Sequence, residues 1–394
     1  MGRPQVQEVR GRGGPRRGRG TSHGARRAQG AEGVRRGDKG WEARDHTRGG
    51  GQEGSGGRGG GVPFGGAWAG GRPSLGGKVR VAQIVEPFKV IVKDLPEPIG
   101  APGEVLVRME RVALCGSDLP RFSGEGYRFR GKYPLLEGQA AHECVGRVVE
   151  GEGFSPGERV LVLPPKSNGL SELLFVPKDK LVPLPEDLDP DVSVMVQPLG
   201  TVLHALKGIG DVLGKDVAVV GQGPMGLLFT ATLRRLGAKR VVGVDLLGYR
   251  LKVARELGAT DVIDASRRDP VEALAELGGV DLAVEATGSP EALETCIEAL
   301  RRGGLLVQFG VPREPHVPFP LDRFLRKGLR MAGFHLASAG NPLEPYILAR
   351  DYIASGWIDP SPLITHHFDL EQVQRAYEMA YRKKDGVVKA MVVF

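Results

Sequence analysis

Two patterns of apolar and polar residues follow one another along the chain. Between residues 79 and 200, short segments such as EVLVRMERVAL, CVGRVVEGEG and ELLFVP alternate apolar with polar positions. A period of two predicts half-buried β-strands, and the glycines and prolines between the segments predict turns. We therefore expect a mostly β domain over residues 79–200, in the form of a partly open barrel.

The second pattern, over residues 201–335, alternates nearly continuous apolar strands with helical segments. Strands are predicted at DVAVV, RVVGVD, DVIDA, VDLAVEATG and LLVQFGV, and helices at LLFTATLRRLG, YRLKVARELGA, PVEALAELG and PEALETCIEALRRGG. Strands that are buried on both faces and separated by helices are typical of a parallel, doubly wound sheet. The predicted fold class is therefore α/β, with a mostly β domain beside a Rossmann-type domain.

The chain opens with a segment of different composition. Residues 1–77 contain 26 of the 60 glycines, and 15 Lys and Arg against 6 Asp and Glu. Apolar residues there have no period, so we expect residues 1–78 to be a disordered extension. One interpretation is an arm that binds RNA through charge and arginine stacking. The other is translated upstream DNA, because 14 of the 15 basic residues are Arg, with the natural start at Val79.

The rest of the chain is nearly neutral, with 39 basic and 41 acidic residues, and its charge does not indicate a nucleic acid partner. By inspection, no apolar run reaches the roughly 18 residues that a membrane helix needs. The three cysteines, Cys115, Cys144 and Cys296, are too few and too scattered for a disulfide framework. These features predict a cytoplasmic protein with reduced thiols and no membrane partner.

A glycine motif follows the first strand of the second domain. Gly221-x-Gly223-x-x-Gly226 joins this strand to a helix, an arrangement that binds the pyrophosphate of a dinucleotide. The next strand ends at Asp245, whose carboxylate suits the ribose hydroxyls of NAD and would repel the 2′-phosphate of NADP. Arg250 could stack on the adenine or soften that preference. The candidate NAD-binding residues are Gly221, Gly223, Pro224, Met225, Gly226, Asp245 and Arg250.

The first domain carries side chains of the kinds that bind zinc. Cys115 follows the apolar segment EVLVRMERVAL within the run CGSD, and His142 and Glu143 directly precede another strand. Cys115 on its own also fits a buried thiol or half of a disulfide. The combination of a cysteine with a His-Glu pair, placed ahead of a dinucleotide fold, favours a metal site.

Taken together, these segments resemble the zinc-dependent medium-chain alcohol dehydrogenases, in the branch that holds polyol (sorbitol-type), threonine and sugar dehydrogenases. The matching segments, in the family's order, are CGSD, HECVGRVVEGEGFSPGERV, QPLGTVLHAL, GQGPMG, VDLAVEATG and LITHHFDLEQVQRAYE. The resemblance implies a GroES-like catalytic domain over 79–200, a Rossmann domain over 201–335 and a return to the catalytic domain over 336–394. It also implies an active site in the cleft between the two domains.

The resemblance further implies roles for single residues. Cys115 and His142 would be ligands of a catalytic zinc ion, and Glu143 an indirect or exchangeable ligand. Ser117 would hydrogen-bond the alcohol oxygen and begin the proton path, while Asp118 braces the site. Zinc lowers the pKa of the alcohol, and hydride then passes to the nicotinamide of NAD. The expected substrate is a secondary hydroxyl of a polyol, a sugar or a related small alcohol.

Three features depart from the family pattern. Gln197 stands where polyol dehydrogenases usually carry a glutamate ligand, and we expect it to contact the metal directly or through water. Pro120 stands where many relatives carry a proton-relaying histidine, so the proton path must end elsewhere. The stretch LVLPPKSNGLSELLFVP lacks the four cysteines of a structural zinc site. One catalytic zinc ion per chain and no structural zinc are therefore expected.

Two other functions remain open: a zinc-free NAD(P)H quinone reductase of the same superfamily, and RNA binding through the basic arm. The predicted substrate loop carries four cations that suit a polar or acidic substrate, or that simply solvate the loop: Arg121, Arg128, Arg130 and Lys132. The resemblance also implies a homo-oligomer, either a dimer or a tetramer. Its contact is expected at a Rossmann edge strand within GGLLVQFGVPREPHVPF.

Overall fold

The computed structural model describes residues 77–334 and 343–394. The glycine- and arginine-rich segment of residues 1–76 lies outside the described residues. Its predicted disorder, the RNA-binding alternative and the start at Val79 therefore stay predictions.

The first part of the described chain forms antiparallel β-structure. A hairpin joins β1 (Lys78–Glu86) to β2 (Lys89–Pro96). The strands that follow are β3 (Glu104–Ala113), β4 (Glu143–Glu150), β5 (Arg159–Val162), β6 (Leu173–Pro177) and β7 (Leu181–Pro183). A short helix, α1 (Leu119–Ser123), lies between β3 and β4.

The C-terminal segment completes the sheet that contains β3 to β7. It consists of β14 (Ile364–Asp369), α10 (Val373–Arg382) and β15 (Lys389–Val393). β15 pairs antiparallel with β3 and parallel with β14, so the described sheet has the order β14-β15-β3-β4-β5-β7, with β6 on β3. The last strand of the chain therefore lies beside the strand that leads to Cys115.

The middle of the chain forms a parallel sheet. Its strands are β8 (Asp216–Val220), β9 (Arg240–Asp245), β10 (Asp261–Asp264), β11 (Val280–Glu285), β12 (Leu300–Gln308) and β13 (Arg330–Gly333). The helices between them are α4 (Pro224–Arg235), α5 (Gly248–Glu256), α6 (Pro270–Glu276), α7 (Pro290–Ala299) and α8 (Leu321–Lys327). The order β10-β9-β8-β11-β12-β13 is that of a dinucleotide-binding, doubly wound sheet. The predicted fold class is confirmed.

Helix α7 ends earlier than the sequence pattern predicts. It begins after Ser289, whose hydroxyl accepts from the backbone N–H of Ala292, and it ends at Ala299 rather than five residues later. The Lys327 amine of α8 donates to three carbonyls at this end, including that of Glu298 over 2.6 Å. Residues 300–304, predicted as helix, instead begin β12.

The prediction of an edge strand within GGLLVQFGVPREPHVPF is wrong. β12 lies between β11 and β13, so its backbone groups are paired on both sides. In the described part of the chain, β13 is the strand that ends this side of the sheet.

Two helices connect the sheets: α2 (Pro190–Val194) and α3 (Val196–Ile209). A further helix, α9 (Glu344–Ala354), packs against α3. The stretch Pro190–Ile209 is long and apolar enough to cross a membrane, which corrects the expectation that no run reaches that length. Because most of this stretch is buried inside the protein, we interpret it as part of the core.

Candidate active site

The turn after β3 positions Cys115. β3 ends at Ala113, and the backbone N–H of Asp118 then donates to the Cys115 carbonyl over 3.0 Å, so the chain reverses before α1 begins. Cys115 is half-buried, Asp118 is fully buried and Ser117 is exposed. The turn thus directs the carboxylate inward and leaves the Ser117 hydroxyl open to solvent.

Strand pairing brings His142 and Glu143 beside Cys115. Glu143 is the first residue of β4 and pairs with Ala113, the last residue of β3. In an antiparallel pair, the residues just after one strand and just before the next lie side by side. One ligand atom from each of Cys115, His142 and Glu143 lies within 4.8 Å of the other two. The structure therefore brings three of the four predicted metal ligands together.

Asp118 connects the members of this group. Its Oδ1 lies 3.2 Å from Nδ1 of His142 and accepts from the Arg121 guanidinium over 3.1 Å. Its Oδ2 accepts from the backbone N–H of Cys115 over 3.3 Å. A carboxylate at Nδ1 keeps the imidazole proton there and leaves Nε2 free to bind a metal. Asp118 thus contacts both predicted ligands, which is the bracing role that the resemblance implies.

Charge around His142 favours a positive species at this position. Burial by itself lowers the pKa of His142, but Asp118 and Cys115 together raise it well above its usual value. Cys144 differs, because it is fully buried and burial raises the pKa of its thiol. A protonated thiol is a poor metal ligand. We therefore interpret Cys144 as a core residue and Cys115 as the candidate sulfur ligand.

Lys389 is a member of the site that the sequence did not indicate as functional. It opens β15, is 1% exposed, and donates from Nζ to Oε2 of the fully buried Glu143 over 2.6 Å. Burial lowers the pKa of Lys389, but Glu143, Cys115 and Asp118 more than offset this and raise it. The signal in the sequence is a single lysine within the apolar strand VVKAMVVF.

The donor set fits a zinc ion. The second carboxylate oxygen of Glu143, Oε1, is buried and has no hydrogen-bond partner, although burial of an unpaired carboxylate oxygen is costly. A cation held by Cys115 and His142 would satisfy it. Sulfur, imidazole nitrogen and carboxylate oxygen are all common zinc donors.

The fourth predicted ligand, Gln197, lies in the first turn of α3 and is buried. Its side chain hydrogen-bonds the hydroxyl of Tyr346 in α9. Burial raises the pKa of Tyr346 to about 12, and the bond to Gln197 lowers it in part. One end of the amide is therefore engaged by Tyr346, and contact between Gln197 and the metal stays a prediction.

Asp118→Asn is expected to weaken zinc binding by about 10- to 100-fold, because it removes the carboxylate charge that holds the proton on Nδ1 of His142 and leaves one acceptor oxygen in place of two. Competition with a chelator on the purified full chain measures the affinity. The matched control is Asp94→Asn, a change at an exposed carboxylate of β2 that pairs with Lys78. Equal affinities for Asp118→Asn and wild type would show that the charge of Asp118 does not strengthen zinc binding.

The glycine motif has the backbone geometry that a dinucleotide loop requires. Gly221 has φ of 94°, a left-handed conformation that favours glycine. A Cβ on Gly226 would lie 1.8 Å from the Gly221 carbonyl oxygen, so only glycine lets α4 start so close to β8. A Cβ on Gly223 would meet only the Arg250 guanidinium, at 3.7 Å, so this side of the loop is open to a ligand. Pro224 is the first residue of α4, and Met225 packs against the core.

Asp245 ends β9 beside this loop. Its Oδ2 accepts from the backbone N–H of Gln222 over 2.7 Å, and its Oδ1 accepts from that of Leu247 over 2.9 Å. The Arg250 guanidinium lies 3.9 Å from Oδ2. The carboxylate is thus held in place at the end of the second strand of the parallel sheet, and its contact with the ribose of NAD stays a prediction.

The predicted substrate loop uses several of its cations within the protein. Arg121 pairs with Asp118 and lies over the ring of Phe129 at 4.9 Å. Arg128 donates to the hydroxyl of the neighbouring Tyr127 over 2.8 Å. Arg130 pairs with Glu314 over 3.0 Å. These contacts of three arginines favour a structural role for them over recognition of an acidic substrate.

Comparison with known proteins agrees with this site. Residues 101–186 match the alcohol dehydrogenase GroES-like domain, and residues 224–348 match the zinc-binding dehydrogenase domain. The chain belongs to the zinc-dependent medium-chain alcohol dehydrogenase family. The resemblance seen in the sequence is thereby confirmed, and family membership supports an alcohol or polyol dehydrogenase with a zinc ion and a nicotinamide cofactor.

Individual relatives cover most of the described chain. The L-threonine 3-dehydrogenase of Shewanella baltica (strain OS185) is 27% identical over 329 residues, which are 75% of this chain and 94% of that protein. The alcohol dehydrogenase of Thermus sp. ATN1 is 29% identical, with a TM-score of 0.70, and covers 80% of this chain and 99% of its own. A zinc-binding dehydrogenase of Sinorhizobium meliloti, solved with NADP, is 26% identical with a TM-score of 0.70. The match covers 81% of this chain and 100% of that protein.

Proposed function

We propose that this dehydrogenase transfers hydride from a secondary hydroxyl of a polyol, a sugar or a related small alcohol to NAD, with one catalytic zinc ion per chain. The observation that carries the proposal is the convergence of Cys115, His142 and Glu143, with a buried carboxylate oxygen that lacks a partner. A zinc-free quinone reductase would not need metal ligands at these positions. The relatives named above act on threonine and on alcohols, which supports a CH–OH donor.

Each residue of the proposed site has a separate role. Cys115 and His142 hold the zinc ion, with Gln197 as a further donor, directly or through water. When bound, zinc supplies Lewis acidity at the substrate oxygen and the nicotinamide ring accepts the hydride. The exposed Ser117 hydroxyl accepts a hydrogen bond from the substrate hydroxyl and donates its own to water, which gives the proton a route to solvent.

Glu143 is an indirect ligand in this proposal. Its Oε2 is committed to the Lys389 amine over 2.6 Å, while Oε1 is free to approach a cation. Lys389 therefore limits the negative charge that Glu143 contributes, and a more positive metal site polarises the substrate oxygen more strongly. NAD is the favoured cofactor because the Asp245 carboxylate suits the ribose hydroxyls.

The proposed zinc site is the group of donors around Cys115. Within residues 77–334 and 343–394, Cys115, His142 and Glu143 form the one group of three or more His, Cys, Asp and Glu side chains placed to share a metal. One catalytic zinc ion per chain and no structural zinc remain predictions. A cytoplasmic location remains a prediction.

We also propose that two copies associate through β13. Among the described residues this strand ends the parallel sheet, and the adjoining helix α8 has no buried residue among Leu321–Lys327. Leu325 is 65% exposed and Met331 of β13 is 46% exposed. An open strand edge flanked by apolar side chains is a pairing surface, and a two-fold axis would satisfy both copies at once.

The Leu325→Glu variant is expected to be a monomer where the wild type is a dimer or a tetramer built from dimers, because the charge would be buried at the contact. Light scattering after size exclusion measures the mass. Leu213→Glu is the matched control, since Leu213 is 69% exposed but lies before β8, away from β13. A monomeric wild type, or an equal effect of both changes, would refute this contact.

The experiment that tests the proposed function is a turnover assay of the zinc-loaded full chain. A panel of polyols, sugars and small secondary alcohols is supplied with NAD, and NADH formation is followed by absorbance. Oxidation of at least one secondary alcohol, lost on removal of zinc and regained on its return, is expected. Quinone reduction without metal, and no alcohol oxidation, would favour the zinc-free alternative.

A further inference from the structure

The turn before His142 has a strained backbone. Ala140 has φ of 84°, in the left-handed region that residues other than glycine rarely adopt. The residue is fully buried, and alanine in this conformation costs free energy that contacts with the surrounding structure must offset. Because Ala140 lies two positions before a predicted metal ligand, the contacts that hold it also fix where the chain places His142.

Both polar groups of the peptide unit after Ala140 are bonded to other parts of the chain. Its carbonyl accepts from the hydroxyl of Tyr377 in α10 over 2.6 Å, and this bond is buried. Its N–H, which belongs to Ala141, donates to the Ser167 carbonyl over 2.9 Å. A peptide unit is planar, so bonds at its oxygen and its nitrogen fix its orientation. Tyr377 thus helps to set the direction in which the chain reaches His142.

The ring of Tyr377 contacts the other half of the candidate metal site. It stacks on the ring of Phe122, with centroids 5.0 Å apart and 23° between the planes. Phe122 lies in α1, which begins directly after Asp118, and Asp118 contacts both Cys115 and His142. The tyrosine and the phenylalanine are both fully buried. One side chain of the C-terminal segment therefore contacts α1 and the turn before His142 at the same time.

We propose that Tyr377 is a positioning residue of the metal site, which holds Ala140 in its left-handed conformation and thereby places the His142 imidazole to bind zinc. Without the hydroxyl, the buried Ala140 carbonyl loses this donor and the turn relaxes toward an unstrained conformation. His142 is then displaced from the place where its ring meets the donor atoms of Cys115 and Glu143. The inference rests on the proposed function, since it assumes a zinc ion at these donors.

The test compares Tyr377→Phe with Tyr381→Phe in the full chain. Tyr381 lies one turn further along α10, and its ring centroid is also near that of Phe122, at 6.4 Å, but its hydroxyl donates to the Glu125 carboxylate over 2.7 Å. Each change removes one hydroxyl and keeps the ring. Zinc dissociation constants are measured by competition with a chelator, under conditions where circular dichroism shows each metal-free variant to be folded. Cobalt(II) in place of zinc reports the ligand geometry through its visible absorption.

Tyr377→Phe is expected to weaken zinc binding by about tenfold, because a metal ligand loses the support that orients it, and to shift the visible bands of the cobalt protein. Tyr381→Phe should leave the affinity and the bands as they are in the wild type. Adding Ala140→Gly to Tyr377→Phe should recover most of the affinity. Glycine adopts a positive φ without steric cost, so the turn keeps its path although the hydroxyl is absent.

Wild-type zinc affinity in a Tyr377→Phe protein of lower stability would show that the tyrosine supports only the fold, and would overturn the positioning role. Equal losses of affinity in Tyr377→Phe and Tyr381→Phe, or no recovery with Ala140→Gly, would also overturn it. If Tyr377→Phe does not fold, the double variant with Ala140→Gly decides, because the proposal requires it to bind zinc nearly as tightly as the wild type. A wild type that binds no zinc would overturn the proposed function itself.

Discussion

Cys115→Ala is expected to remove zinc from the protein and to lower kcat/KM for alcohol oxidation by about a thousandfold, since Lewis-acid activation of the substrate contributes several kcal/mol. The change takes the sulfur from a group of three donors. It leaves His142, the proposed donor Gln197 and the Glu143 carboxylate, one oxygen of which already accepts from the Lys389 amine. Elemental analysis gives zinc per chain, and steady-state assays on the same preparation give the rate.

The other two cysteines provide matched controls. Cys144 and Cys296 are fully buried, and burial raises the pKa of both thiols well above the usual value, so neither is a ready metal ligand. Alanine at either position is expected to keep the zinc and to cost about 1 kcal/mol in stability from lost packing. If Cys115→Ala retained its zinc, or if Cys144→Ala lost it, the assignment of the sulfur ligand would be wrong.

The three donors were predictable because each lies at the end of a strand with a clear pattern. The alternation before Cys115 and after Glu143 marks β3 and β4, and adjacent antiparallel strands bring their near ends together. The sequence motif and the strand topology therefore both predict a site at the adjacent ends of β3 and β4. The glycine motif is similar, because strand, turn and helix are consecutive in the chain.

Lys389 could not be predicted in the same way. Its partner Glu143 is 246 residues away along the chain, and the two meet only because β15 adds to the free side of β3. A local pattern does not show which strand a C-terminal segment joins. The end of α7 was missed for a related reason, since the Lys327 amine that caps it comes from the following helix.

The loop arginines illustrate a further limit. A cation in a substrate loop suggests an anionic ligand, but Arg121 and Arg130 pair with Asp118 and Glu314. Sequence shows that a charge is present and not whether the protein itself neutralises it.

Lys389→Met is expected to destabilise the metal-free protein by about 3–5 kcal/mol, because it leaves the fully buried Glu143 carboxylate without its counter-charge. The free energy of unfolding is measured by urea denaturation in the presence of a chelator. Lys389→Arg, which keeps the charge, should cost less. A loss of this size is expected only when a buried ion pair is broken. An exposed ion pair such as Arg326 with Asp322 contributes at most about 1 kcal/mol.

The double variant Glu143→Gln with Lys389→Met separates a lost charge from lost packing. If the unpaired carboxylate is the cause, removing it should recover most of the stability that Lys389→Met loses. Zinc should also reduce the loss, because the ion supplies a positive charge next to Glu143 and binds the folded state. A double variant no more stable than Lys389→Met, in metal-free protein, would mean that the lysine acts through packing. In that case the unpartnered Oε1 atom of Glu143 would no longer be evidence for a metal ion beside it.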